Sequence, residues 1–218
     1  MFYDYIQLES TFNAATVETY RTEFQDKILE STTTGLKARV ITTTAATDTD
    51  PLTLYIKYEN TGTDGVTKTF GVGETIISTN ANNTTTTNFK LTTNQTTERS
   101  AQIGSSSTST GIGSAVLVHP GVYFVNGFFV ENTEQIIILD KYSNRPSYRI
   151  GWEISETFVT PEDDPSLLDN AQGSSNVNAP GAHRFKMALT LVKKTLDATD
   201  DTDFIELARI GRGNIQKF

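Results

Sequence analysis

The sequence predicts a mainly β protein, built of small barrel- or sandwich-like modules with one or two short helices. Three observations predict it. Apolar and polar residues alternate in several short segments, the period of a half-buried strand. Glycine, asparagine, aspartate and proline punctuate those segments at short intervals, as tight turns require. Threonine, whose branched Cβ suits a pleated surface, recurs throughout. The 218 residues are enough to bury a core in one large or two small β domains.

Taken in order, residues 1–29 read as an N-terminal arm or helix. Val17, Tyr20, Phe24 and Ile28 recur at spacings of three and four, which marks a helical face, although nearby threonines dilute helix propensity. The aromatic start, Phe2, Tyr3 and Tyr5, is a candidate partner-binding segment.

Residues 30–114 read as a β module with a Thr/Ser-rich loop. Leu36, Ala38 and Val40 alternate with polar neighbours; so do Leu52, Leu54, Ile56 and Tyr58, with Thr53, Tyr55 and Lys57 opposite. Asn60-Thr61-Gly62 and Asp64-Gly65 are turn signals. Phe70, Val72 and Thr75 to Ile77 predict a short strand pair around Gly71 and Gly73. Residues 79–114 are mainly Thr, Ser, Asn and Gly, with Phe89, Leu91 and Ile103 as isolated apolar points, and read as a long polar loop or as strands that order against a partner. The triplets at Asn83 and Asn94 match glycosylation acceptors, which without a secretion signal carry little weight.

Residues 115–218 read as a β-rich C-terminal domain. Asn126-Gly127 between Val122–Val125 and Phe128–Val130 is a hairpin signal, because this dipeptide supplies two positive φ angles at small cost. The apolar run Ile136 to Leu139 fits a strand covered on both faces. Tyr148, Ile150, Trp152 and Ile154 share one strand face; Phe185, Met187, Leu189 and Leu191 share another, and the two faces are expected to meet in one core. Between them, Asp164 before Pro165 reads as the N-cap of a short helix ending near Ala171, with Leu167 and Leu168 pinning it to the sheet. Phe204 to Ile210, before Gly211, reads as a last strand.

Composition excludes several functions. The formal net charge of -8 opposes binding to a phosphate backbone. The absence of cysteine removes disulfides, thiolate metal sites and thiol nucleophiles, and two histidines leave little for imidazole sites. No signal-peptide pattern opens the chain and no apolar run is long enough to span a bilayer. The expected protein is made in the cytoplasm and is soluble or joins an assembly, with neither nucleic acid nor membrane as partner.

Gly121 to Val130, Tyr148 to Trp152, Pro161 to Ala171 and Ala179 to Arg184, in that order, resemble a domain of unknown function found in virion structural proteins of tailed phages, notably large myophages of cyanobacteria. The resemblance covers residues 115–218, and the strand pattern of residues 30–78 is similar to the segment that precedes the domain in that family. It implies a virion structural component, of the baseplate or tail-fibre region, that binds other tail proteins and forms a homo-oligomer, a trimer by analogy with fibre and baseplate parts. Family members often continue into fibre-like regions, whereas this chain stops near Phe218, which favours a short adaptor. The resemblance supplies no catalytic residues and no cofactor.

The residues themselves offer little chemistry. Glu162, Asp163, Asp164 and Asp169 form the best metal or acid–base candidate, but the Asp-x-Asp-x-Asp-Gly spacing of a calcium loop is missing, so caps and solvated surface are the preferred roles. The aspartates from Asp197 to Asp203 read as a solvated turn. His183 follows a Pro-Gly turn with no nucleophile motif to serve, and reads as a structural hydrogen-bond donor. Trp152 and the Phe128-Phe129 pair are able to stack on sugars or partners, but strand periodicity favours core packing for most of them. The expected function is therefore binding without catalysis. A carbohydrate-binding or carbohydrate-active tail protein is the alternative, and Glu153, Glu156 and Glu162 are its weakly paired carboxylates.

Overall fold

The computed structural model describes residues 2–79, 90–91, 95–96 and 100–217; Asn83, Phe89, Asn94 and most of the polar stretch around them lie outside the described residues. The expected mainly β class holds, and among the described residues helix is confined to two 3₁₀ segments, Val17–Phe24 and Pro165–Leu167. The chain forms two compact units, residues 1–115 with 140–144, and residues 116–139 with 145–218. Residues 1–29 belong to the first unit.

The first unit contains β1 (Phe2–Gln7), β2 (Thr11–Phe12), β3 (Ala15–Thr16), β4 (Ile28–Ser31), β5 (Lys37–Thr44), β6 (Thr53–Tyr58), β7 (Thr75–Thr79), β8 (Lys90–Leu91), β9 (Gln95–Thr96), β10 (Ser100–Gln102) and most of β11 (Thr110–Val118). Its strands pair in the order β10-β7-β4-β5-β6-β1-β11. The N-terminal segment is therefore no free arm. Tyr5 of β1 lies between Tyr55 of β6 and Gly111 of β11 in antiparallel register.

One face of this sheet carries Ile6, Leu8, Leu29, Val40, Leu54, Ile56 and Ile76, and the Val17–Phe24 segment packs Val17, Tyr20 and Phe24 into the same core. The helical spacing read from those three residues is real. The segment is 3₁₀, broken at Tyr20 (φ -117, ψ 21), and Ile28 already belongs to β4.

The other face departs from the alternation pattern. Thr53 and Tyr55, expected on a solvated side, are fully buried. Tyr3 and Tyr5 are buried as well, and the Tyr5 and Tyr142 rings lie 4.9 Å apart. Gly111 and Gly113 make the space. A Cβ at Gly111 would sit 2.8 Å from the Tyr5 ring, and one at Gly113 would sit 2.5 Å from the Lys141 carbonyl and 2.8 Å from the Tyr55 ring. This is why residues 110–114, polar and glycine-rich, form a strand where the sequence reads as loop. The phenols find partners at the rim: Tyr5 donates to the Thr108 carbonyl (3.0 Å), Tyr55 to the Lys141 carbonyl (3.3 Å) and Tyr142 to Asp50 (2.6 Å). Hydrogen bonds from Lys141 and Tyr142 hold the Asp50 carboxyl below the usual carboxylate range, while burial pushes the Tyr55 phenol well above its own.

The second unit contains β12 (Gly121–Val125), β13 (Phe128–Asn132), β14 (Gln135–Asp140), β15 (Tyr148–Val159), β16 (Arg184–Thr195), β17 (Phe204–Gly211) and β18 (Asn214–Lys217). β12 and β13 form a two-stranded ribbon, and β16-β15-β17-β18 form a second sheet. The predicted hairpin turn is present, with φ of 49° at Asn126 and 88° at Gly127. β15 and β16 pair over twelve residues, from Tyr148 opposite Thr195 to Val159 opposite Arg184. As expected, their inner faces share a core: Ile150, Trp152, Leu189 and Leu191 pack with Ile210 and with Val125 and Val130 of the ribbon. The Trp152 ring meets Tyr123 nearly edge-on at 5.2 Å, and its indole N–H has no hydrogen-bond partner, so Trp152 contributes as an apolar body.

The loop between β15 and β16 holds less helix than expected. Asp164 does cap it, accepting from the Ser166 amide at 3.0 Å, but one 3₁₀ turn ends at Leu167. Leu168 is extended and bridges Pro180, the Asp169 amide donates to the Ala179 carbonyl, and the Asn178 amide donates to the Asp169 carbonyl. Pairing across the loop replaces a second helical turn. Leu167 and Leu168 are half-buried and stand outside the core cluster, so they do not pin a helix to the sheet.

The aspartates before β17 are likewise more than a solvated turn. Arg149, buried on the outer face of β15, reaches Asp201 with both terminal nitrogens (2.5 and 3.0 Å), Glu206 through Nε (2.5 Å) and the Ala198 carbonyl (2.7 Å). Hydrogen bonds from Arg209 and Arg149 pull the Glu206 carboxyl down to about 2 from 4.5.

Two consequences are measurable. Gly113→Ala should destabilise the protein by about 1–3 kcal/mol in urea titration, because its neighbours are backbone and a buried ring rather than a flexible chain end. The Glu206 carboxyl is depressed in the folded state, so its stabilisation is complete above 4.5 and is lost as pH falls toward 2. The stability difference between the wild type and Glu206→Gln should therefore be largest near neutral pH and shrink steadily below pH 4.5.

Candidate interaction surface

The ribbon of β12 and β13 has apolar residues on both of its faces. Val125 and Val130 are buried and Tyr123 packs against them. Val122, Phe124 and Phe129 point the other way, because successive side chains alternate and Phe124 pairs with Phe129 in register. The two rings lie 5.2 Å apart. Phe128, at the turn, meets Phe185 of β16 at 5.3 Å, and Phe185 meets Phe158 of β15 at 5.8 Å. Asn126 ties the turn to β15 by donating to Glu156 (2.9 Å).

These six side chains are 42% to 78% exposed, Phe129 the most. Single exposed apolar residues are ordinary, but clustered rings are not, since each large apolar side chain left in water forgoes about 1.5–3 kcal/mol of burial. Sequence reasoning placed Phe185 on a core face and, for Trp152 with the Phe128-Phe129 pair, preferred core packing for most over stacking on sugars or partners; Phe128, Phe129 and Phe185 are exposed. The physical reason is length. The core is lined by residues 148 to 154 of β15 and 187 to 191 of β16, whereas the paired strands run on to Val159 and Arg184. Past Glu156 the same face carries Phe158 and Phe185, beyond the residues that line the core. One signal was available: a short hairpin apolar on both faces needs cover on both faces.

The remaining predicted residues are placed as follows. Tyr3 and Tyr5 are buried in the first unit and Phe2 is half-exposed, so only Phe2 of the aromatic start presents a ring to solvent. Trp152 is core. His183 is exposed just before β16. The acidic residues of the loop turn onto nearby groups: Asp163 accepts from the Thr160 amide and hydroxyl, and Asp169 from the Ala171 amide. Hydrogen bonds from Thr160 hold the Asp163 carboxyl below the usual range, and those from Ser166 do the same for Asp164. Among the described residues no three or more of His, Asp and Glu gather as a metal site. Nor is any helix there long and apolar enough to cross a membrane.

Residues 103–217 match the sequence model of a protein family described as a domain of unknown function, DUF4815. That span is more than half of the chain and contains the whole exposed phenylalanine surface. No curated protein and no solved structure matches.

The exposed rings and the buried one should separate cleanly. Phe124→Ser with Phe129→Ser should change folding stability by no more than about 0.5 kcal/mol per site, as surface substitutions do. Trp152→Ala should cost about 3–5 kcal/mol. Chemical denaturation of the two variants measures both.

Proposed function

We propose that this chain, which belongs to the DUF4815 family over residues 103–217, is a non-enzymatic structural protein that works by binding other proteins, as a baseplate or tail-fibre adaptor of a phage tail. The observation that carries the binding role is the cluster Val122, Phe124, Phe128, Phe129, Phe158 and Phe185, exposed on a short ribbon and on the end of the ladder beside it. A surface of this kind is satisfied by another protein's apolar side chains. A sugar ligand would call for convergent polar groups around the rings, and the carboxylate of Glu156 is already engaged by Asn126. The tail assignment rests on the resemblance of residues 115–218 to virion structural domains. The partners on this reading are neighbouring tail proteins and further copies of the chain, a trimer by that analogy, and the place of action is the virion.

Cross-linking mass spectrometry of purified phage particles carrying this chain tests the proposal. The expected result is cross-links between neighbouring tail proteins and Lys186 or residues flanking 121–132. Absence of the chain from the particles, or glycan hydrolysis by the purified protein, would overturn it.

A further inference from the structure

We infer that the free edge of β16 at Phe185 and Met187 takes an added strand, an extended segment of another protein in which apolar residues alternate with acidic ones. This deepens the binding role proposed above and rests on it.

In an extended strand the N–H and C=O of one residue point to the same side, and those of the next residue to the other. Ile154 donates its amide to the Asp203 carbonyl, away from β16, so Leu189, its partner in register, turns its own backbone away from β15. Phe185, Met187 and Leu191 share that direction, because the register is unbroken from Tyr148 to Val159. All four face out of the sheet, since β16 is its edge.

One part of this edge is capped. The Gln135 carboxamide accepts from the Leu191 amide and donates to the Leu189 carbonyl, both at 2.8 Å, as one peptide group of a neighbouring strand would. Farther along, among the described residues, the outward amides of Phe185 and Met187 have no hydrogen-bond partner in the chain. The ladder is also thin there. β17 pairs with β15 only as far as Glu153, so residues 155–159 and 184–188 form a ribbon of two strands, a width that is marginal by itself.

An added strand supplies backbone hydrogen bonds to the edge, and its alternate side chains meet the two faces of the sheet. On one face its neighbours are Phe185 and Met187, with the rings of Phe128 and Phe158 against Phe185. That face calls for apolar residues. On the other face stand Arg184 and Lys186, both exposed. Asp163, in the loop after β15, lies within range of the Lys186 charge and offsets one of the two bases. This face calls for acidic residues, because opposite charges across a strand pair stabilise it and like charges do the reverse. The same rule disfavours a second copy as occupant. One β16 laid antiparallel against another at this end sets Arg184 and Lys186 against bases.

Nuclear magnetic resonance of the full chain tests this at the backbone. In the free protein the Phe185 and Met187 amides should exchange with solvent at least tenfold faster than the Leu191 amide. A capped synthetic peptide alternating valine and glutamate is the probe, and at millimolar concentration it should slow exchange at Phe185 and Met187 at least threefold. The same peptide N-methylated at every amide, which cannot donate, should not; nor should a peptide alternating valine and lysine. Arg184→Glu with Lys186→Glu should reverse the preference between the glutamate and lysine peptides, with circular dichroism confirming the fold. No slowing by the glutamate peptide would overturn the inference, as would equal slowing by the N-methylated or the lysine peptide, or slowing at Glu156 and Phe158 on the opposite edge instead. Protection of Phe185 and Met187 that grows with protein concentration alone would make the occupant a second copy and overturn it too. If no peptide acted but cross-links in the particle still reached residues 121–132, strand addition would fall while the binding role would stand.

Discussion

The second unit is organised by one constraint: a twelve-residue antiparallel ladder is longer than the core that covers it. At about 3.4 Å per residue the ladder extends on the order of 40 Å. Trp152, Ile150, Leu189 and Leu191 occupy one part of it, and the ribbon of β12 and β13 lays Val125 and Val130 over them. Beyond Ile154 the same face carries Glu156 and then Phe158 on β15, opposite Met187 and Phe185 on β16. Phe158 and Phe185 stand there, and Phe128 leans onto Phe185. The ribbon is itself only two strands wide, too small to be stable without packing. One of its faces is satisfied by Trp152 and its neighbours; the other, with Phe124 and Phe129, is not.

The first unit meets a related problem with opposite means. Its sheet is also apolar on both faces, but the second face is closed internally. Tyr3, Tyr5 and Tyr55 fill it, with the partly exposed Tyr142 ring against Tyr5, and the backbone at Gly111 and Gly113 lies close to the Tyr5 and Tyr55 rings. The hydroxyls reach Thr108, Lys141 and Asp50 at the rim, so that no phenol is buried at the cost of its hydrogen bond. Tyrosine suits a face that must be covered and still end in water. Phenylalanine has no polar end, and its concentration around the ribbon is what makes that surface read as an interface.

Much of this was legible in the sequence because it is local. The Asn126-Gly127 turn, the alternation of Tyr148 to Ile154 and of Met187 to Leu191, the cap at Asp164 and the helical spacing of Val17, Tyr20 and Phe24 are set by a few neighbouring residues each. What was not legible depends on distant partners. Thr110 to Ser114 looks like loop until Tyr5 and Tyr55 are placed beside its glycines. Asp201 looks solvated until Arg149 is brought across the sheet. Pro165 to Ala171 looks like a longer helix until Leu168 finds Pro180. The exposure of these phenylalanines was hidden by a sound rule, since a strand face rich in phenylalanine is normally core; the rule failed where the strands outran the unit.

The central claim is that the ribbon and the free end of the ladder are surfaces meant to be covered. Hydrogen exchange by mass spectrometry measures it most directly, comparing the isolated chain with the chain in its native assembly. The account predicts that protection gained on assembly is concentrated in peptides spanning 121–132, 156–159 and 184–187, while peptides of the buried core around Trp152 change little. Unchanged exchange in those three segments, with new protection appearing elsewhere, would contradict it.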